Sequence, residues 1–370
     1  MRSVVIALLL LLCLGGTARA IDGQSLIDMQ AEAAGLDQLE GAVPDIARDL
    51  LGRDPLDART SFDLGLQRIL EQAGSRLGGV FREAARSAAT VMVIAILAGL
   101  IGNLYRGSGS RGPDFVPLVG VLATAIVAIG SSSAFLGLGS NTLWELEHFS
   151  KTLLPTMAAA GAASGALTSA AVKSAGTILF LDLLLTVSAR VIMPLIYAYI
   201  AASIGGAAIG GDGLKSAANL FKWVAGVLIT TIMIAFVGYI TVTGIVSGSA
   251  DVVTTRVAKT TISTVLPVVG GIVADAAETV LAGAAMVRNT IGVIGLLVVL
   301  AVCLVPILQL GAHYLMFKAA AGLSGAVTDQ RIGGLIGNLG TAFGMIMGLT
   351  GAGAMMLFFS IISMMRAVIR

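Results

Sequence analysis

Residues 290–312 read TIGVIGLLVVLAVCLVPILQLGA, a run of 23 residues with no charge. A helix of about 20 apolar residues crosses the hydrocarbon core of a bilayer, so this run is long enough to span. Lipid offers no partner for backbone N–H and C=O groups, so the run must be helical. One residue disturbs it. Pro306 has no N–H to donate and crowds the preceding turn, which predicts a kink or break inside the span.

Working outward, comparable apolar segments lie at about 88–105, 115–138, 178–203, 223–249 and 341–365. Two further stretches, 153–172 and 265–287, are apolar but dominated by Ala and Gly. They either cross the bilayer or enter it and return. The chain as a whole is 56% apolar and 12% charged, with a mean hydropathy of +0.95. That composition excludes a soluble globular domain. The expected fold is all-α, a polytopic helical membrane protein with six to eight transmembrane helices.

Beyond Pro117 the prolines are Pro155, Pro194, Pro267 and Pro306, two pairs with the same internal spacing of 39 residues. A shift of 112 residues lays KTLLP at 151–155 on STVLP at 263–267 and MPLI at 193–196 on VPIL at 305–308. This register predicts an internal duplication with units of about 115–203 and 227–315, followed by a closing helix at about 333–365. All four prolines are candidate helix breaks, whose freed backbone groups would line a cavity as in transporters. Pro155 and Pro267 also suit helix starts, where proline costs little.

The N-terminus carries Arg2, an apolar core from Val4 to Leu14, Gly15 and Gly16, then Ala18-Arg19-Ala20. This is the pattern of a secretory signal peptide over residues 1–20. Residues 21–86 are mixed and charged, and are expected to form an extracytoplasmic helical region with helices at 36–51 and 62–81. The membrane domain then covers 87–370. Arg106 and Arg111 fit a cytoplasmic loop, and Glu145 with Glu147 fits the opposite side. Six or eight crossings leave the C-terminus outside, whereas Arg366 and Arg370 favour the cytoplasm.

The net charge of +2 is small and dispersed, which argues against nucleic-acid binding. With Cys13 inside the signal peptide, Cys303 has no partner for an intramolecular disulfide. No phosphate-binding loop, metal-ligand spacing or nucleophile–base pair is legible, so neither catalysis nor a cofactor or metal is expected. Charges within the spans carry more weight, because each is costly in hydrocarbon. Asp182 and Arg190 lie about 12 Å apart along one helix and cannot pair directly. They are read as interfacial groups or as a polar lining. Asp275 and Glu278 share one helix face, either in water on an amphipathic helix or as a proton or ion site. Gly333, Gly337, Gly340, Gly344 and Gly348 form a smooth stripe that admits a close helix neighbour, within the chain or from another copy.

The stretch from Ala250 to Leu296, ADVVTTRVAKTTISTVLPVVGGIVADAAETVLAGAAMVRNTIGVIGL, resembles the stage III sporulation protein AE family, most specifically over Thr254–Asn289. The order of signal peptide, exported helical region and many spans is similar to that family too. The resemblance implies a role in endospore formation, in the mother-cell membrane around the engulfed forespore. It implies membership of a secretion-like channel complex, with other stage III sporulation membrane proteins and a separate cytoplasmic ATPase as partners. The alternatives are an independent secondary transporter and a membrane scaffold without a conduit. The chain is in either case a multi-pass membrane protein.

Overall fold

The computed structural model describes residues 29–52, 62–107, 115–165, 167–265, 270–325 and 328–366. Within these helices, side chains are described except at 103, 105–107, 115–117, 131–136, 167–170 and 244–279. The expected signal peptide lies outside the described residues, as do Pro267, Arg111 and Arg370. Among the described residues the fold is all-helical. Two short helices, α1 (Leu36–Ala42) and α2 (Asp45–Leu51), precede the long ones. These are α3 (Phe62–Gly107), α4 (Phe115–Ala163), α5 (Leu167–Val187), α6 (Met193–Ile209), α7 (Asp212–Val265), α8 (Gly270–Ser324) and α9 (Gln330–Met365).

The lengths set the architecture. The helices α3, α4, α7 and α8 have 46, 49, 54 and 55 residues. At about 1.5 Å per residue, α8 is roughly 80 Å long. The hydrocarbon core is only about 30 Å thick, so the bundle extends well beyond it. Five helical stretches are long and apolar enough to span, and Leu118–Gly130 in α4 adds a shorter one. This is a helical polytopic membrane protein.

The long helices run up and down between two ends. At the first, a Cβ on Gly99 would meet Thr328 at 3.1 Å, one on Gly120 would meet Ile332 at 3.3 Å, and one on Gly210 would meet the Arg331 guanidinium at 2.8 Å. The α3–α4, α6–α7 and α8–α9 corners therefore gather there. At the second, Arg288 bonds to both Ser164 and Met365, bringing the α4–α5 corner to the end of α9. Glycine makes two of these corners. Gly165 and Gly210 have φ of +90° and +77°, left-handed values that end α4 and α6 without Cβ strain.

Helix α8 is the centre of the bundle and packs on α9, α3 and α4. Of its most apolar window 67% is buried, against 17% for α7, which lies on the rim against α5 and α6. The run read first in the sequence is thus a core helix. Leu297, Val298, Val299, Val302 and Cys303 are all buried, facing Phe343 and Ile346 of α9 among others in one continuous core. The Phe317 and Phe343 rings meet edge to face at 5.2 Å, fastening α8 to α9.

Several expectations need correcting in detail. The helix expected over 36–51 is two helices, because Pro44 disfavours the α conformation at Val43, whose ψ is 123°. The helix expected at 62–81 and the first span are one continuous helix, α3. Neither Pro155 nor Pro306 breaks its helix. Each removes one hydrogen bond, and the flanking turns, packed against neighbours, hold the helix together. Before Pro194 the chain widens instead into a π turn, Ser188–Ile192. The proline ring would crowd the Arg190 carbonyl, and the wider turn lets the Met193 N–H reach Ser188 O.

The stretch 153–172 forms the end of α4, the Ser164–Gly165 corner and the start of α5, and is no separate crossing. The segments α4 to α6 and α7 to α8 are two hairpins that both start at the first end. Pro155 sits more than two turns inside α4.

Candidate functional site

The sequence-predicted groups do not converge. Asp182 and Arg190 both face outward from α5 and the π turn. Asp182 adds its field to the exposed Lys151–Glu147 ion pair of α4. The Lys151 ammonium is held above the usual lysine range, first by its hydrogen bond to Glu147 and in smaller part by Asp182. Asp275 and Glu278 lie in the first turns of α8, and their side chains are outside the described residues. Four of the stripe glycines face α8: added Cβ atoms would stand 3.2 Å from Ser324 at Gly333, 3.3 Å from Ala321 at Gly337, 3.3 Å from Phe317 at Gly340 and 3.0 Å from Tyr314 at Gly344. Nothing lies within 4 Å of such an atom at Gly348.

The tertiary structure builds a polar centre elsewhere, at the second end. Arg288 of α8 is 1% exposed and Lys173 of α5 is 4% exposed. The Arg288 Nη1 donates to Ser164 Oγ at 3.3 Å and its Nη2 to Met365 O at 3.1 Å. The Lys173 Nζ donates to Ser363 O at 3.0 Å, and the hydroxyls of Thr177 and Ser360 bond to each other close by. Both cations thus serve the last carbonyls of α9, which have no partner inside their own helix. The negative end of that helix dipole falls on the same spot. Arg288 takes part in no ion pair with a described carboxylate, and its Nε has no acceptor among the described residues.

Chemically, this is a lock rather than a reaction site. It ties the α4–α5 corner, α8 and the end of α9 to one point. The Ser164 hydroxyl completes it, accepting from Arg288 while donating to Gly161 O at 2.8 Å. Both cations had a signal in the sequence. Lys173 and Arg288 each interrupt an apolar run, but they fall at the margins of the segments 153–172 and 265–287, where a charge also suits an interface.

A second group is the half-buried Glu145 of α4. Its Oε2 is buried without a hydrogen-bond partner among the described residues, and its charge reaches Cys303 of α8 and Asp45 of α2. Burial, and then the Asp45 charge, push the Glu145 carboxyl above its ordinary value of 4.5. The folded state therefore holds this proton to higher pH than the unfolded state does. Stability from this group is present below the ordinary value and falls as pH rises through the raised one. Glu145→Gln is expected to remove that fall, which thermal unfolding in detergent as a function of pH, parent against variant, measures directly.

The model of a family described as stage III sporulation protein AE matches residues 57–368. The stage III sporulation protein AE of Bacillus subtilis (strain 168) is 24% identical over 198 residues, which are 54% of this chain and 50% of that protein. The chain thus matches about half the length of that relative. No solved structure matches. With the family match running from the start of α3 to the end of α9, the chain belongs to the stage III sporulation protein AE family.

Proposed function

We propose that this chain is the polytopic membrane core of a secretion-like channel complex that joins mother cell and forespore after engulfment. The family match over residues 57–368 carries the reading. It covers the whole membrane bundle, so the shared property is the membrane platform itself. Within the bundle, the central helix α8 is enclosed by apolar side chains of α3, α4 and α9. That packing favours a path formed between copies or partners over one through a single chain. For the same reason it supports a scaffold as the second reading, ahead of a solute transporter.

The proposed location is the mother-cell membrane around the forespore. Lys215, Lys222, Lys318 and Arg331 lie toward the first end, and Arg106 falls in the last turn of α3 there. These cations support a cytoplasmic first end by the positive-inside rule, against the single Arg366 that caps α9 at the second. The second end, α1 and α2 then face the space between the two membranes, where they can meet other stage III sporulation membrane proteins. A separate cytoplasmic ATPase would engage the first end.

Affinity purification from sporulating cells tests this. The tagged chain is expected to bring down an ATPase and other sporulation membrane proteins, and deletion of its gene to stop sporulation after engulfment. Recovery of the chain alone, with solute uptake by the purified protein, would favour the transporter instead.

A further inference from the structure

The first half of α3 carries charge on a face that the rest of the chain leaves uncovered. Leu64, Arg68, Glu71, Ser75, Gly78 and Arg82 are all exposed, and they alternate at spacings of four and three residues, which sets them in one line along the helix. A Cβ at Gly78 would have nothing within 4 Å. The opposite side is buried, with Val80 and Ala84 against Ala312 of α8.

This face lies level with one that meets lipid. A Cβ on Gly65 would run into Leu297, which with the Val80–Ala312 contact sets α3 alongside α8 in one register. On the other side of α8, a Cβ on Gly295 would meet Ile361 of α9 at 3.4 Å. Next to Ile361, Ser360 bonds to Thr177 of α5, and a Cβ on Gly353 would meet Leu184 at 3.6 Å. Arg68 and Glu71 therefore stand at the depth of Leu179 and Leu183, which are 69% and 47% exposed on α5. Charges at that depth are costly unless water or another polar group covers them.

Arg68 and Glu71 are three residues apart on one helix, yet they form no ion pair with each other or with another described residue. Glu71 accepts from Gln67 Nε2 at 2.8 Å, and Arg68 Nη1 reaches only Leu51 O, at 3.4 Å. A second copy of the chain supplies what each lacks. Copies inserted the same way into one membrane are related by an axis along its normal, so like residues meet at like depth. With two such lines face to face, Arg68 of each copy stands one layer from Glu71 of the other, which gives two reciprocal pairs. Ser75 and Gly78 in the middle let the two backbones approach. We propose that two copies of this chain associate side by side along this line of α3. The pairing holds whether the wider assembly conducts or only scaffolds.

Disulfide cross-linking of the full chain in vesicles, at high dilution in lipid, gives a direct test. Ser75→Cys is oxidised in a chain that also carries Cys13→Ala and Cys303→Ala, with Leu183→Cys in the same background as the reference at equal depth. Linked dimer is expected at 75 well ahead of 183. Arg68→Glu or Glu71→Arg should each lower it on the order of tenfold, because like charges then face each other across the interface. Both substitutions together should restore it. Bleaching steps of a fluorescent protein fused to the otherwise unaltered chain count copies without touching α3, and two are expected. Equal linking at 75 and 183, no rescue by the double exchange, or a single bleaching step would each overturn the proposal. So would linkage of Ser75→Cys to a different protein in sporulating cells with no dimer in vesicles, which would mean that another chain covers the face.

Discussion

Gly340→Leu is expected to destabilise the bundle by about 3 kcal/mol, the upper range for forcing bulk into a packed core. The position sits on the α8–α9 seam, where a Cβ would already stand 3.3 Å from Phe317 Cβ and 3.4 Å from the Lys318 backbone nitrogen. A methyl group requires a shift of a few tenths of an ångström. Of the three nearest atoms only Lys318 Cγ, also at 3.4 Å, belongs to a flexible side chain, and the Phe317 Cβ and the Lys318 backbone cannot give way, so the helices must separate to admit a leucine. Separation would also loosen the Phe317–Phe343 contact and the His313–Phe343 contact, whose rings lie 5.2 and 5.3 Å apart. Gly348→Leu, on the same stripe but with nothing within 4 Å, is expected to stay within about 0.5 kcal/mol of the parent. Unfolding in mixed detergent with increasing denaturant compares the pair. Equal effects at 340 and 348 would show that the seam is not close-packed.

Arg288→Ala is expected to cost on the order of 3 kcal/mol, from a buried void together with lost charge-assisted hydrogen bonds. Two effects oppose each other at this residue. Keeping a guanidinium out of water is expensive, and replacing a buried charge by a well-packed apolar group can be neutral. Truncation to alanine relieves the first but fills nothing. It strands the Met365 carbonyl and weakens the hold on Ser164, so the loss of partners prevails. Arg288→Met restores most of the volume without the donors and should fall between alanine and the parent. Lys173→Ala acts on Ser363, two residues from Met365, so the double variant should depart from additivity. Amide exchange over 358–365 reports the fraying of α9 specifically. Unchanged protection there in Arg288→Ala would mean that the helix end is held by other contacts.

The two variants probe parts of the molecule that differ in how visible they were beforehand. The glycine stripe is a periodic pattern within one helix, and period is what a linear sequence displays. That its partner is α8, and that Gly348 drops out of the seam, depends on where two helices diverge. Arg288, Lys173 and Glu145 are single charges without periodicity. The burial of the first two follows from the meeting of α4, α5, α8 and α9 at points remote in the chain, such as Ser164 with Arg288 and Lys173 with Ser363. The prolines mark the limit most clearly. A proline was expected to break a helix, yet Pro155 and Pro306 are carried by continuous helices and Pro194 is accommodated by a π turn.

By itself the sequence determined that this chain is a multi-pass helical membrane protein of the stage III sporulation protein AE kind. Apolar runs longer than a bilayer is thick have no other way to satisfy their backbones, and the family pattern lies in contiguous residues. Tertiary structure alone decided which apolar run is core and which faces lipid, since α8 and α7 are both apolar and differ only in their neighbours. It also decided where the hairpins turn, because a corner is stable only where the ends of other helices meet it. The buried Arg288 is the plainest case. Its charge is written in the sequence, but the carbonyls that justify it are brought there by the fold.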